Sequence, residues 1–374
     1  MINEREAYAR YQRAYAVKSS IEPYMNELAR RMLPKADNFY VERYNNKQAS
    51  RYRPNYDNTG MILVQEATKR IMKSVAPRGD NYVQIEVNPL LKQRLDKQTL
   101  YMVEKAADDA TLIFYSYLDN SNFLETLRAI CQEWIVFGNA VAYPEIVGDR
   151  LTFIPASIDR YWVEYSEDSR SAGLFWKREM AHYEINMRFP GAISAEEMRK
   201  GEQDRKTLLC MQLPDANGVF HKVIQMSDIP AGSSGGAVGH GKTLLNAPLL
   251  FGKPNIAFGR SIVSSGEAWG MGAGSPMLPH TQLLQTLVRR SLEATSYIAD
   301  PMYIADASIT PTGFRSAPGY VIRVDSELLQ NSQPPIAPVP TQANPAGWYK
   351  AIDESKHTLR ETMGIMPPPS PDPH

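Results

Sequence analysis

The spacing of apolar residues changes near Gly138, and this change constrains the fold more than any other feature of the chain. Before Gly138, apolar residues recur every three to four positions, which is the spacing of amphipathic helices. After it they follow a period of two, as in strands with one buried face. A helical first part followed by short strands predicts a mixed α+β fold.

The helical part predicts four helices. The first covers 4–33, and the second ends at Pro77. The third is predicted over 89–120 as one segment about 45 Å long. Ser121 is placed to cap the fourth helix and Gly138 to end it. The apolar stripe of the third helix consists of Leu91, Leu95, Met102, Ala106, Ile113 and Tyr117.

The middle of the chain predicts a small antiparallel β-unit. Its first strands fall into two pairs, at 140–146 with 151–155 and at 161–165 with 174–180. Further strands at 207–213 and 219–226 follow a charged helical insert that is expected near 195–204.

The last third combines long helices with segments rich in glycine and proline. A Gly/Ser-rich loop at 228–243 precedes a long helix over 276–298, which tolerates Pro279 in its first turn. Short strands broken by prolines are expected at 300–347, and another amphipathic helix at 348–364. The Pro-rich tail, MPPPSPDPH at 366–374, cannot fold on its own.

The charge balance excludes general adhesion to polyanions. The 374 residues include 41 basic and 41 acidic side chains, so the formal net charge is zero. Any contact with nucleic acid therefore needs a local patch. The largest positive excess lies in residues 1–53, which form either a solvated helix or a surface for phosphates or an acidic partner.

Membrane insertion is not expected either. No apolar run approaches the ~20 residues of a membrane span. The N-terminus carries charge from Glu4 onward and lacks the apolar core of a signal peptide. We expect a soluble, intracellular chain with no membrane contact.

Residue types used in catalysis are present, but not in catalytic patterns. Cys131 and Cys210 lie far apart in apolar runs, which predicts two buried free thiols. The six histidines show no i,i+4 pair and no neighbouring cysteine, so no metal site is predicted. We expect no enzymatic activity, no catalytic residue and no cofactor.

One short motif favours a different class of protein. Residues 236–243, GAVGHGKT, match the phosphate-loop pattern G-x-x-x-x-G-K-[ST]. That loop works between a buried strand and a helix N-terminus, where backbone N–H groups surround the phosphates. The residues before it are polar, and Pro248 and Pro254 interrupt any helix after it. A flexible loop is therefore the preferred interpretation, with a P-loop ATPase using Gly236–Thr243 as the alternative.

Several stretches, in order along residues 28–364, resemble the portal, or head-to-tail connector, protein of short-tailed bacteriophages. The strongest is GEAWGMGAGSPMLP at 266–279, which is similar to that family's approach to its first stem helix. His280 stands where the family usually has Asp. The other stretches are RRMLP at 30–34, FGNAV at 137–141, FIP at 153–155, WVEY at 162–165 and GLFWKR at 173–178.

The resemblance implies a portal-like α+β fold in which two long stem helices flank a β-containing clip. It also implies assembly as a homo-oligomeric ring, most often of 12 subunits. The boundaries that it implies are a wing at 1–265, a first stem helix at 266–299, a clip at 300–347, a second stem helix at 348–365 and the tail at 366–374.

The resemblance further implies where the ring acts and what it contacts. Portal rings occupy one vertex of the capsid and conduct double-stranded DNA during packaging and ejection. The implied partners are the terminase large subunit, a tail adaptor protein and the major capsid protein. The chain would then lie in the virion, and in the host cytoplasm during assembly.

Five basic residues are the candidates for contacts on this interpretation. In the second stem helix, Lys350, Lys356 and Arg360 either line the DNA channel or belong to a mixed, solvated face. In the clip, Arg315 and Arg323 are candidates for contact with DNA or with an adaptor. An oligomeric scaffold or adaptor without a channel is the remaining alternative.

Overall fold

The structure is a computed structural model that divides into two compact units. The first contains Met1–Arg51 and Val64–Ser275, and the second contains Tyr52–Leu63 and Pro276–His374. The residues that the structure describes are 3–33, 55–77, 82–147, 150–164, 173–201, 204–215, 218–225, 242–249, 255–264, 266–306, 321–324, 336–338 and 345–364.

The helices of the first part follow the apolar periodicity, with one exception. Those that precede the sheets are α1 (Glu4–Met32), α2 (Thr59–Val75), α3 (Pro89–Lys92), α4 (Lys97–Asp119) and α5 (Phe123–Phe137). The prediction of one continuous helix over 89–120 is wrong, because the helix breaks and restarts at Asp96. The Asp96 carboxylate accepts hydrogen bonds from the backbone N–H groups of Gln98 and Thr99, both at 3.1 Å, and so caps α4.

Antiparallel sheets make up the middle of the chain, as predicted. The strands are β1 (Asn139–Val147), β2 (Arg150–Ala156), β3 (Tyr161–Val163), β4 (Leu174–Ala181), β5 (Arg205–Asp215), β6 (Gly218–Gln225), β7 (Lys242–Pro248) and β8 (Ala257–Arg260). They form a sheet with the order β2-β1-β8 and a second with the order β3-β4-β5-β6-β7. The two predicted pairs are confirmed, and the two further strands are observed as β5 and β6, which pair with each other, whereas β7 and β8 were not predicted. Two short helices, α6 (His182–Arg188) and α7 (Ala195–Lys200), lie between β4 and β5.

The core of the first unit forms where α1 packs on the five-stranded sheet. Tyr11 of α1 meets Trp162 edge-on at 5.4 Å and Phe175 at 5.7 Å between ring centroids. At the edge of this core the Arg10 guanidinium donates two hydrogen bonds, of 2.8 and 2.6 Å, to one oxygen of the Glu164 carboxylate. Burial of apolar area and a charged hydrogen-bonded pair thus fix α1 on the sheet together.

Lys18 of α1 is fully buried in the same region. Its ammonium donates hydrogen bonds to the carbonyls of Ile158 at 2.5 Å and Tyr161 at 3.0 Å, and lies 4.4 Å from the centre of the Trp162 ring. Burial lowers the pKa of Lys18 to about 7, although the nearby Asp159 carboxylate acts in the opposite direction.

A second close contact joins the end of α5 to a glycine-rich segment. Gly138 ends α5 with a φ of 76°, a left-handed conformation that favours glycine. A Cβ on Gly272 would collide with the Gly138 nitrogen and the Ile135 carbonyl. Asn139 secures this contact, because its side chain both donates to and accepts from the Gly270 backbone at 2.8 Å. The two segments therefore approach backbone to backbone.

The second unit contains the elements that follow this contact. Helix α8 (Gly274–Ala299) includes Pro279 in its first turns, and α9 (Pro345–Thr362) closes the described chain. Between them, β9 (Tyr303–Asp306) pairs in parallel with β10 (Val321–Val324) and antiparallel with β11 (Ile336–Pro338). The predicted order of helix, short strands and helix is therefore observed.

The buried Lys18 makes a prediction about the pH dependence of stability. Between pH 7 and about 10 the unfolded chain binds a proton that the folded chain does not, so the free energy of unfolding rises with pH, by at most ~1.4 kcal/mol per unit. Lys18→Met removes this contribution. We expect the urea midpoint of the wild type to rise from pH 7 to pH 9 relative to that of Lys18→Met. The exposed Lys97→Met is the control, and a wild-type pH dependence equal to that of Lys18→Met would contradict the prediction.

The close approach of Gly272 to the backbone of Gly138 predicts that two glycine substitutions destabilise the fold for different reasons, steric collision in one and backbone strain in the other. Gly272→Ala introduces a Cβ against backbone atoms, so we expect a loss of roughly 2–4 kcal/mol in the free energy of unfolding. Gly266 has a φ of 86° but open space around it, so Gly266→Ala introduces backbone strain without a collision. We expect this variant to lose about 1 kcal/mol in the free energy of unfolding. Denaturant titration of both variants is the measurement. Equal losses would show that the 270–274 segment is not tightly packed.

Candidate nucleic-acid interface

Helix α9 has one buried face and one charged face. Leu359 is fully buried and Ile352 nearly so, and helical spacing places both on one side of the helix. Lys350 and Arg360 are exposed on the other side. The periodicity that predicted this helix therefore also predicted which side carries the charges.

The charges on the exposed side of α9 are mixed rather than uniformly basic. The Lys350 ammonium lies 3.9 Å from Glu354, and His357 lies 3.4 Å from Glu361, both at i,i+4 spacing. Arg360 makes no ion pair with any residue that the structure describes. Surface pairs of this kind contribute little to stability and are screened by salt. Such a face can contact phosphates without holding them strongly.

Lys356 differs from the other two candidates because it has a partner within the second unit. Its ammonium lies 3.2 Å from the Asp57 carboxylate, and both side chains are largely buried. The other Asp57 oxygen accepts a hydrogen bond of 2.7 Å from the Thr59 N–H at the start of α2. Asp57 thus connects α9 to the first turn of α2. A role for Lys356 in a channel stays a prediction.

Gln285 of α8 binds the same short segment. Its side-chain oxygen accepts from the backbone N–H of Tyr56 at 2.8 Å and of Asp57 at 3.3 Å, and its amide donates to the Asp57 carbonyl. Sequence analysis missed both Asp57 and Gln285. The run Asp-Asn-Thr at 57–59 is a helix-start signal for α2, but nothing in the sequence indicates its partners more than 200 residues away.

Of the two arginines predicted as contacts in the clip, one lies within the described residues. Arg323 lies in β10, in register with Ala305 of β9. Arg315 lies outside the described residues. Their roles as contacts stay predictions.

The described end of the phosphate-loop match, Lys242 and Thr243, does not have the geometry that nucleotide binding requires. Lys242 and Thr243 begin strand β7, which pairs antiparallel with β6, whereas the motif needs them at a helix N-terminus. The Lys242 ammonium donates to the carbonyls of Ala192 at 3.0 Å and Gly191 at 3.3 Å, and the Thr243 hydroxyl contacts the Glu4 carboxylate. The rest of the motif, 236–241, lies outside the described residues.

The two cysteine thiols lie in the core. Cys131 and Cys210 are buried free thiols, as predicted, and burial raises the pKa of Cys210 to about 12. Over the ranges given above, no group of three or more His, Cys, Asp or Glu is arranged to hold a metal ion. In that same part of the chain, no helix combines the length and hydropathy needed to cross a bilayer.

The position of Lys242 predicts the result of a nucleotide-binding assay. Because Lys242 lies in a strand and its ammonium already donates to two backbone carbonyls, we expect no saturable binding of MgATP to the wild-type protein by isothermal titration calorimetry. Lys242→Ala should behave identically toward ATP and lose about 1 kcal/mol of stability with its hydrogen bonds. ATP binding that disappears in Lys242→Ala would restore the ATPase alternative.

The chain was compared with known proteins by sequence and by structure. Residues 4–223 match the sequence model of the family described as bacteriophage head to tail connecting protein. Among curated proteins, none matches the chain. A solved structure, that of the Epstein-Barr portal, aligns with 91% of this chain and 80% of its own, at 7% identity and a TM-score of 0.21. The assignment therefore rests on the sequence match alone. Because that match covers more than half of the chain, the resemblance to this family is confirmed and the protein belongs to the family of bacteriophage head to tail connecting proteins.

Proposed function

We propose that the protein is a portal subunit, assembled as a ring at one vertex of the capsid. The observation that carries this proposal is the family match over residues 4–223. The family is one of structural proteins, which agrees with the interpretation of the chain as non-enzymatic. In this role the ring conducts double-stranded DNA during packaging and ejection.

Helix α8 supports assembly with neighbouring copies. Leu284 is fully buried, whereas Leu283, Leu292 and Ile298 leave about half of their surface exposed. A helix with apolar residues on several sides needs neighbours on more than one of them. Head-to-tail contacts between identical chains provide such neighbours when the ring closes. We therefore assign α8 to the first stem helix, within 266–299.

The charges on α9 suit a channel lining. A conduit has to let DNA slide, so a strongly basic surface would hinder it by binding phosphates tightly. The exposed side of α9 instead sets Lys350 and Arg360 among acidic side chains, which favours weak and reversible contact. We propose Lys350 and Arg360 as channel residues of the second stem helix, 348–365. Lys356 joins them only if its ion pair with Asp57 opens.

The strands between α8 and α9 form the proposed clip, 300–347. In the described residues β9 is central, and β10 and β11 each have one edge without a strand. Such edges are able to pair with a strand of a neighbouring subunit. Residues 1–265 would then form the wing and 366–374 the tail. Arg315 and Arg323 remain proposed contacts for DNA or an adaptor.

The proposed partners follow from the position of a portal in the virion. The terminase large subunit would dock during packaging, a tail adaptor protein would bind afterwards, and the major capsid protein would surround the ring. The chain would reach the portal vertex from the host cytoplasm.

Native mass spectrometry tests ring formation directly. We expect rings of about twelve 42.1 kDa chains, alone or joined in larger assemblies, with or without coexpressed capsid and scaffold proteins of the same phage. Negative-stain images should show an axial hole at least ~20 Å wide. A monomer under both conditions would contradict the proposal, and a closed oligomer without a hole would favour a scaffold or adaptor.

The α9 assignment is tested by charge reversal. Arg360→Glu places a negative charge where we expect passing phosphates, so we expect DNA packaging to fall several-fold while the ring mass is unchanged. Lys69→Glu, an exposed change on α2, is the control and should package normally. Equal packaging by both variants would show that this side of α9 does not face the DNA.

A further inference from the structure

Helix α4 exposes apolar side chains that its sequence pattern marks as contact residues. Its own chain buries Thr111 and Leu118 on one side. On the opposite side Tyr101, Met102, Leu112 and Ile113 are between 56 and 69% exposed. The stripe that predicted this helix, including Met102 and Ile113, therefore has no partner among the described residues of the chain. An exposed apolar surface of this kind marks an interaction site.

The residues on this side are arranged symmetrically along the helix. We define the outer α4 face as Gln98, Tyr101, Met102, Lys105, Asp109, Leu112, Ile113 and Ser116. At 100° per residue these eight positions lie within about 120° of one another around the helix axis. The positions are also symmetric in sequence about residue 107. The polar Gln98 and Ser116 lie at the ends, and the apolar pairs Tyr101–Met102 and Leu112–Ile113 come next. Lys105 and Asp109 lie nearest the centre.

This symmetry makes the outer α4 face complementary to itself in an antiparallel pairing. With two helices centred on residue 107, Tyr101 and Met102 of one lie opposite Ile113 and Leu112 of the other. Lys105 of each helix lies opposite Asp109 of the other, so the pairing contains two contacts between opposite charges. Neither of these charged residues has an ion-pair partner in the part of the chain that the structure describes. Apolar residues thus meet apolar residues and each charge meets its opposite.

We propose that the outer α4 face binds the same face of a second copy of this chain, as an antiparallel helix pair with two-fold symmetry. Two such faces bury on the order of 1,200 Å² in total, the lower end of the range for specific interfaces. A two-fold contact occupies the same surface on both chains and stops at two copies. It therefore joins free subunits or two separate rings, and it does not depend on the proposed portal function.

Charge-reversal variants test this pairing. Lys105→Asp and Asp109→Lys each place like charges opposite one another twice, so we expect dimerisation at least tenfold weaker in each. In a mixture of the two variants every pair is of opposite sign, so we expect a heterodimer to form. Native mass spectrometry at micromolar concentration measures all three samples, with far-UV circular dichroism to show that each variant folds. Lys69→Asp, the same charge change on α2, is the control and should dimerise like the wild type.

Each outcome bears on the proposal. Wild-type dimers, or rings in pairs, that separate in the single variants and re-form in the mixture would support it. A wild type with neither dimers nor paired rings would overturn it, whatever the ring test shows. Dimers that persist in both single variants, or a mixture that stays monomeric, would also overturn it.

Discussion

The close packing of two backbone segments, at 136–139 and 270–274, is the contact on which the arrangement of the first unit depends. It sets the end of α5, the start of β1 and the residue at which α8 begins. Glycine at 272 is required because a side chain would meet backbone atoms that cannot move aside. Asn139 holds the approach with two hydrogen bonds to one residue. A contact between residues about 130 positions apart therefore joins the point where α5 meets β1 to the segment that precedes α8.

Periodicity predicted much of this fold, and its failures have identifiable causes. Helices α1, α2 and α5 and the six strands from β1 to β6 follow from repeats of 3.6 and 2 residues. The break before α4 was missed because the apolar stripe continues through it, while the local cap at Asp96 decides the backbone. Strand β7 was missed because Lys242 and Thr243 were interpreted as part of a glycine-rich loop, and the strand forms only through its pairing with β6.

In the candidate interface, too, features set by local spacing were predicted and contacts between distant residues were not. The sequence predicted Lys350, Lys356 and Arg360 together, either as channel residues or as a mixed, solvated face, and the structure exposes Lys350 and Arg360. The sequence did not predict that Lys356 pairs with Asp57, or that Gln285 binds the backbone of 56–57. These contacts connect residues hundreds of positions apart. The resemblance singled out the motif at 266–279 from the sequence, and the structure explains three of its glycines, Gly270, Gly272 and Gly274, by steric exclusion.

Buried Lys18 has a consequence for chemical labelling of the chain. An amine with a pKa of about 7 is largely unprotonated in mildly alkaline buffer, and the free amine is the nucleophilic form of lysine. Its surroundings of Ile158, Tyr161 and Trp162 nevertheless exclude any reagent while α1 stays on the sheet. Acylation of Lys18 therefore requires a local opening, so its rate records how often α1 leaves the sheet.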